Sequence, residues 1–315
     1  MIRYILRRLG FLLLTLLLTS IIIFAVTRWL PGDVARVILG REAGEAALQA
    51  LREELGLDRP LYVQYFQWLG DFVTGDWGRS YATRTDILPI VMERLRNSLR
   101  LGAVTLVISI PLAVALGVLA GLNENSLLDN VISISALSVV GLPEFVTGLV
   151  LIHLFAFNLR LLPASSAVRP NAGFFEALPM LILPALTATL VLLAYIARLT
   201  RAGVIQELRE PYVRTAILKG MPYRRVIVRH VLRNALMPTI TVIAISLGWL
   251  ISGLIVIENV YNYPGLGRLL VFAIDRRDLP VIQAITMITA AGFAGANLLA
   301  DLLYALLNPR IRLGA

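Results

Sequence analysis

Few residues in this sequence have the chemistry that catalysis or metal binding requires. The 315 residues include no cysteine and only two histidines, His153 and His230, which are far apart in the chain. Disulfides, thiolate metal sites and cysteine nucleophiles are therefore excluded. The Gly-Leu-Gly sequence at 265–267 lacks the lysine of a phosphate-binding loop, so we do not expect ATP to bind this chain. We predict no catalytic residue, no cofactor-binding residue and no metal site.

An acidic side chain inside an apolar run is the next candidate for chemistry. Glu144 follows Pro143 near the middle of the apolar run 130–157. A charge at the centre of a bilayer costs about 3 kcal/mol on insertion scales, so such residues usually face a wet path or a polar partner. Two interpretations of Glu144 stay open: it lines a translocation path, or it pairs with another polar group between helices.

Further candidates lie near the ends of apolar runs. His153, Glu258 and Asp301 have positions where solvation at the membrane interface favours a structural role, and we keep His153 and Glu258 as candidates for a path or gate. A turn after residue 257 carries one proline and two glycines, Pro264, Gly265 and Gly267. These residues permit a tight re-entry into the next run, or they border a gate, and the sequence does not decide between the two.

The longest polar insertion between apolar runs is residues 207–238, which we call the basic loop. Pro211 suits the first turn of a helix that begins at Tyr212, and Gly220 suits the left-handed residue that ends it. Pro222 then begins a second helix. From 198 to 233 only two residues, Glu207 and Glu210, are acidic, and the basic residues are Arg198, Arg201, Arg209, Arg214, Lys219, Arg224, Arg225, Arg229 and Arg233. This excess indicates a cytoplasmic loop.

The composition is that of a membrane protein. Hydrophobic residues make up 58% of the chain and charged residues only 16%, whereas about a quarter of the residues in soluble domains are charged. A net charge of +9 could point to a nucleic-acid partner. Much of that charge lies in the basic loop, so membrane topology explains it and no nucleic acid is expected.

Six apolar runs are long enough to cross a bilayer as helices: 9–27, 101–123, 130–157, 177–197, 234–257 and 279–300. We therefore predict an all-α integral membrane protein of six transmembrane helices. The predicted parts are an N-terminal anchor with the first helix (1–29), an extracytoplasmic helical loop (30–97), a five-helix core (98–310) and a tail (311–315). Alternation puts both termini and the basic loop in the cytoplasm. The turn at 124–129, on that same side, has no basic residue and is the exception to the charge bias.

The first apolar run is read as an uncleaved anchor. Arg3, Arg7 and Arg8 precede it, as they would precede a signal peptide. Its uncharged length exceeds the 7 to 15 residues, roughly, of a signal-peptide core, and the residues that follow offer no cleavage site.

The loop 30–97 contains two predicted features. Residues 45–55 repeat leucines at helical spacing up to Gly56, which indicates a short amphipathic helix. Residues 61–73 are rich in aromatic rings, namely Tyr62, Tyr65, Phe66, Trp68 and Phe72. Such rings favour a membrane interface, or they pack on the spans beneath, and both alternatives stay open.

Sequence motifs along nearly the whole chain resemble those of one family. The N-terminal MIRYILRRL, LGLDRPLYVQYFQWLGDFVTGDWGRS before the second run, LRLLPAS after the third, ENVYNYPGLGRLL after the fifth and DLLYALLNPRIR at the end resemble permease subunits of dipeptide, oligopeptide and nickel ABC importers. The basic loop is similar to the loop by which those permeases dock on an ATPase. The consensus Glu-Ala-Ala falls on Arg214-Thr215-Ala216 and its glycine on Gly220, and Arg233 stands where the general pattern has proline.

The resemblance implies a type I importer architecture and a set of partners. These are a second, homologous permease, two cytoplasmic ATPase subunits that carry ATP and Mg, and an extracytoplasmic binding protein, all at a bacterial inner membrane. Residues 201–236 are expected to couple to the ATPase, with Arg214 and Lys219 pairing with acids and Val213, Ala216 and Ile217 offering apolar contact. The coupling residues implied are Glu207, Tyr212, Val213, Arg214, Thr215, Ala216, Lys219 and Gly220.

The resemblance favours di- or oligopeptides as the imported solute. Nickel chelates, glutathione and oligosaccharides are alternatives within the same architecture. An autonomous secondary transporter is the alternative from another class, but it requires its own ion site and usually paired halves, and the sequence shows no internal repeat.

Overall fold

The computed structural model describes residues 2–29, 34–39, 42–54, 56–167 and 173–307, and within them the chain is built from helices. In chain order the helices are α1 (Ile2–Trp29), α2 (Val34–Leu39), α3 (Glu45–Glu54), α4 (Leu61–Thr74), α5 (Ile87–Leu122), α6 (Leu127–Val140), α7 (Glu144–Ile152), α8 (Phe174–Leu208), α9 (Pro211–Leu218), α10 (Tyr223–Val226), α11 (Leu232–Ala235), α12 (Met237–Gly253), α13 (Ile255–Val260), α14 (Leu266–Asp275) and α15 (Leu279–Leu307). Single π-helical turns, His153–Asn158 and Ile227–Val231, follow α7 and α10. The predicted tail 311–315 lies outside the described residues.

The described helices provide six membrane spans if two bent pairs each count as one. Four spans are uninterrupted, within α1, α5, α8 and α15. The other two are Leu127–Val140 with Glu144–Asn158, bent by 107°, and Tyr223–Ala235 with Met237–Leu250, bent by 47°. The predicted all-α, six-span architecture agrees with this count.

The prediction of one helix through residues 130–157 is wrong. The helix stops at Val140, and a new helix starts at Glu144 in a different direction. Pro143 has φ −57° and ψ 140°, an extended conformation that cannot continue a helix, and it has no amide hydrogen to donate. Glu144 is therefore the first residue of α7, and it is not in the middle of a continuous span.

The core of the protein is the contact of α5 with α8, whose backbones approach closely. A Cβ atom placed on Gly117 of α5 would lie 2.5 Å from the carbonyl oxygen of Ala197 in α8. Only a residue without a side chain permits this approach, as is common where membrane helices cross. Buried leucine and isoleucine side chains on both helices, such as Leu101 and Ile196, extend the contact.

Helix α1 packs along α15, and two polar contacts join the helices. Gln283 donates a hydrogen bond to the Thr27 hydroxyl at 2.7 Å near one end of the pair. Near the other end Arg8 forms an ion pair with Asp301 at 2.8 Å. Asp301 thus has the structural role that its position near a span end predicts, with Arg8 as its partner.

The segment between α1 and α5 contains the predicted short helix as α3, and Gly56 follows it with φ +64°. Some aromatic residues of α4 pack on a span, and others are exposed as a membrane interface would require. Tyr65 and Trp68 pack on Phe24 of α1, with ring centroids 5.5 and 5.8 Å apart, whereas Tyr62 and Phe66 are each 67% exposed.

Candidate functional site

The basic loop folds as the sequence predicts, into short helices separated at Gly220. Pro211 is the first residue of α9 and Pro222 precedes α10. Gly220 has φ +77°, and its amide donates to the carbonyl of Ile217 at 2.9 Å. An L side chain rarely adopts this conformation, so a glycine at this position ends α9 without strain.

One face of α9 is buried in the protein's own core. Val213 is 3% exposed and Ala216 is 9% exposed, and both pack in a cluster with Val204, Val226 and Val231. The expectation that Val213 and Ala216 offer contact to a partner is therefore wrong. Three residues apart on a helix, they lie on the same side, and that side faces α8 and the π-helical turn after α10.

The rest of the surface of α9 is open. Ile217 is 47% exposed and Leu218 is 78% exposed, and the exposed residues Arg214, Thr215 and Lys219 surround them. The structure gives Arg214 and Lys219 no ion pair with another described residue. A pair of apolar side chains beside two cations is a suitable surface for a partner that has an apolar groove with an acidic rim.

Tyr212 and Glu207 fix the start of α9. The Tyr212 hydroxyl donates a hydrogen bond to a carboxylate oxygen of Glu207, at the end of α8, and accepts one from the Asn234 amide at 3.3 Å. Burial is the main cause that raises the pKa of Tyr212, so the hydroxyl keeps its proton and remains a donor. These two residues position α9 rather than forming its exposed surface.

The acidic turn at 124–129 neutralises Arg201, near the end of α8, and Arg209, in the basic loop, a relation that the sequence analysis missed. Arg201 donates from Nε and from Nη2 to the two carboxylate oxygens of Asp129, at 2.5 and 2.7 Å. Arg209 makes a second pair with Glu124 at 2.7 Å. The turn and the loop are therefore at the same face of the protein. A turn with acids and no base, at the side where a cationic loop is expected, was the available signal.

Asp129 is the buried member of these pairs. It is 1% exposed, and it also accepts hydrogen bonds from the Asn125 amide at 2.9 Å and from the Ser133 hydroxyl at 3.2 Å. A buried carboxylate requires such partners, because an uncompensated charge in the interior costs several kcal/mol. Helices α6 and α8 are consequently joined by a fully bonded ion pair at the end nearest α9.

The second group of predicted residues surrounds Glu258, which lies in α13, outside the membrane-spanning segments. Its carboxylate accepts hydrogen bonds from the Ser98 hydroxyl and from the amides of Gly267 (2.6 Å) and Arg268 (3.3 Å). Glu258 is only 1% exposed, so solvation at a span end is the wrong reason for its structural role. It caps the N-terminus of α14, where donor amides favour an anion. Burial nonetheless raises its pKa to about 7.

Pro264, Gly265 and Gly267 form a turn that is closed around Glu258 and Ile255. A Cβ atom on Gly265 would lie 2.1 Å from Oε1 of Glu258, and one on Gly267 would lie 2.4 Å from the Cα atom of Ile255. The carbonyl of Pro264 accepts a hydrogen bond from the Asn97 amide at 2.9 Å. Close packing thus accounts for these residues, which supports the structural alternative for the turn.

Glu144 and His153 are not part of either group. Glu144 is half-buried at the start of α7, and the structure gives it no hydrogen bond or ion pair with another described residue. His153 is exposed in the π-helical turn, and no group of metal-ligating side chains is found in the described part of the chain. Helix α7 does contact the residue that follows α13: the Tyr261 hydroxyl donates to the carbonyl of Gly148 at 3.1 Å.

Comparisons with known proteins agree with this architecture. Residues 113–313 match the model of binding-protein-dependent transport system inner membrane components, and residues 1–102 match the model of the N-terminal region of such membrane components. The chain is 38% identical to a probable peptide ABC transporter permease of Sinorhizobium fredii over 98% of this chain and 99% of the relative. It is 37% identical to the glutathione transport system permease of Escherichia coli K12, over 99% of each chain. The same identity and coverage hold for the glutathione permease of Shigella dysenteriae.

Proposed function

This chain belongs to the family of binding-protein-dependent transport system inner membrane components, and from that premise we propose how it is driven. As a permease subunit of such an ABC importer, it forms part of a route for solute through the bilayer. We propose that cytoplasmic ATPase subunits supply the energy by moving α9, and that solute is released into the route from a binding protein on the other side.

The observation that carries the proposal is that α9 is buried on one side and exposed on the other. Its inner face is fixed to the chain through Val213 and Ala216, and its outer face presents Leu218 and Ile217 among cations. A helix attached in this way transmits a push as a rigid body, because a packed core does not deform continuously. Movement of α9 is thereby passed to α8 through the core and to α6 through the pair of Arg201 with Asp129.

The partners follow from this arrangement and from the family. We propose two ATPase subunits that carry ATP and Mg, a second homologous permease that completes the route, and both termini in the cytoplasm. When the ATPases close, they move α9 of this chain and the corresponding helix of the second permease. The attached spans then tilt. Nucleotide and solute sites are then coupled reciprocally, as alternating access requires.

The proposed solute is a short peptide. The similar proteins include one named for peptide transport and others named for glutathione, which is itself a tripeptide. A compound with a peptide backbone and free terminal charges is the chemical class common to both. Specificity within that class is expected to reside mainly in the binding protein.

Reconstitution tests the proposal. We expect the chain, purified with the subunits that accompany it from its native membrane, to accumulate a labelled di- or tripeptide in vesicles only when binding protein and ATP are supplied on opposite sides. A hydrolysis-deficient ATPase is the control and should abolish uptake. Uphill transport by the chain alone, driven by an ion gradient, would instead support an autonomous secondary transporter.

A further inference from the structure

The exposed surface of α4 is divided into an apolar arc and a polar arc. At 100° per residue, Tyr62, Phe66 and Val73 lie within one narrow arc, and they are 67%, 67% and 77% exposed. Gln67, Asp71 and Thr74 lie on the adjoining arc and are exposed as well. The remaining side of the helix packs on α1. A helix with two exposed faces of opposite polarity is typical of a boundary between lipid and water.

The contact with α1 gives the depth of α4. The Tyr65 hydroxyl is 2.8 Å from the hydroxyl of Ser20, and the Tyr65 ring contacts Phe24. Thr27 ends the uncharged run of α1, and its contact with Gln283 is near the start of α15, so the two spans reach the same membrane surface there. Ser20 lies seven residues before Thr27, a distance of about 10 Å along a helix. The contact between α4 and α1 is consequently below the membrane surface.

Each exposed arc of α4 lies near surroundings of its own polarity. At the level of Ser20 to Thr27, α1 exposes Ile21, Ile22 and Val26, each close to half exposed or more, so its outer surface there is apolar. The polar arc of α4 instead borders a cavity of about 320 Å³ whose lining includes Arg28, Gln67, Asp71 and Arg79. The cavity is large enough for water on one side of α4, and the exposed side of α1 at the same depth is apolar.

From this geometry we propose that α4 is an in-plane membrane helix, with Tyr62, Phe66 and Val73 inserted among the acyl chains of the leaflet away from α9. The occupant is lipid hydrocarbon, because α4 has no lysine or arginine for an anionic headgroup or an acidic protein. The segment between α1 and α5 is then anchored in the bilayer and is not wholly an external loop. This inference rests on α1 being a span and does not depend on how transport is driven.

Spin labelling tests the proposal, and the chain contains no native cysteine that would interfere. Phe66→Cys and Val73→Cys, each labelled with a nitroxide, are compared with Gln67→Cys on the polar arc and with Ile22→Cys on the exposed surface of α1. The complete complex is reconstituted in phospholipid vesicles. Collision of each label with oxygen, which enters hydrocarbon, is measured against collision with a water-soluble nickel chelate.

We expect the ratio of oxygen to chelate collision at residues 66 and 73 to match that at residue 22 and to exceed that at residue 67 by at least about fivefold. Chelate-dominated collision at either residue 66 or residue 73 would place the apolar arc in water and overturn the proposal. Low collision with both reagents at either residue would mean that a protein covers the arc, and this result would overturn it equally. Uptake activity of each labelled complex verifies that the variants are folded.

Discussion

At the scale of residues, Glu258 and its neighbours show which part of a site is visible in a sequence. The proline and glycines at 264–267 could be recognised as a turn, and Glu258 as an acid with a structural role. The partners of Glu258 and Pro264 could not be recognised, because Ser98 and Asn97 are more than 150 positions away and are ordinary polar residues of a long helix. Only the fold brings α5 against the N-terminus of α14.

Gly267→Ala is predicted to destabilise the protein. The added Cβ atom would lie 2.4 Å from the backbone Cα of Ile255, which cannot move aside as a flexible side chain can. Overpacking of this kind costs about 1 to 3 kcal/mol. The thermal midpoint of the purified complex measures the effect.

Gly295→Ala in α15 is the matched control, since a Cβ atom there has nothing within 4 Å. It is expected to leave the midpoint unchanged or to raise it slightly, because alanine favours a helix. Equal midpoints for the two variants would contradict the close packing of the turn.

The buried carboxyl of Glu258 predicts a pH dependence of stability. Its pKa in the folded protein, about 7, exceeds the value of 4.5 for a solvated glutamate, so the folded state binds the proton more tightly than the unfolded state. Stability is therefore greatest below pH 4.5 as far as this group is concerned, and it decreases as pH rises from 4.5 to about 7. Glu258→Gln removes this contribution and should flatten the dependence of the thermal midpoint over that range. A variant with the same slope as the original protein would disprove the assignment to Glu258.

At the scale of elements, helix existence was more predictable than helix role. The positions of proline and glycine predicted α9 correctly, and the apolar runs predicted the spans. The break at Pro143 was underestimated, because a proline in an apolar run is compatible with a mild kink as well as with a sharp bend. The inward face of α9 was mistaken for a docking surface, since valine and alanine at 213 and 216 suit either environment.

The two ion pairs that the acidic turn makes with Arg201 and Arg209 are predicted to differ in their contribution to stability. Arg201→Ala leaves Asp129 as a buried carboxylate without its cation, and such losses cost about 3 to 5 kcal/mol. Arg209→Ala removes a pair whose arginine side chain is 71% exposed, and exposed pairs contribute less than about 1 kcal/mol. We expect a lower thermal midpoint and weaker uptake per ATP hydrolysed for Arg201→Ala only. If Arg209→Ala had effects as large, α6 and α8 would not be joined mainly through Asp129.

At the scale of the whole molecule, the charge distribution is explained by pairing across the chain. The turn at 124–129 departs from the cationic bias because its acids are bound to Arg201 and Arg209, and this supports one side for the turn and the basic loop. Sequence reasoning could predict the sides of the membrane from net charge. It could not foresee that part of α4 lies against α1, because the position of a loop helix depends on a tertiary contact.

The predicted orientation can be measured with single cysteines. Leu218→Cys is expected to react with a membrane-impermeant maleimide only in inverted membrane vesicles, because we propose that α9 faces the cytoplasm. Ala82→Cys, an exposed position between α4 and α5, is expected to react only in right-side-out cells. Labelling of both from one side would contradict the proposed topology.

The claim that force enters through the outer face of α9 is tested most directly by cross-linking. A photoreactive probe on Leu218→Cys, in the complete complex, should attach the chain to an ATPase subunit, and the yield should change when ATP is bound. The same probe on Ala82→Cys should give no such product. The claim would be contradicted if the probe on Ala82→Cys cross-linked efficiently to an ATPase subunit. It would also be contradicted if the probe on Leu218→Cys attached to a protein other than an ATPase and transport continued.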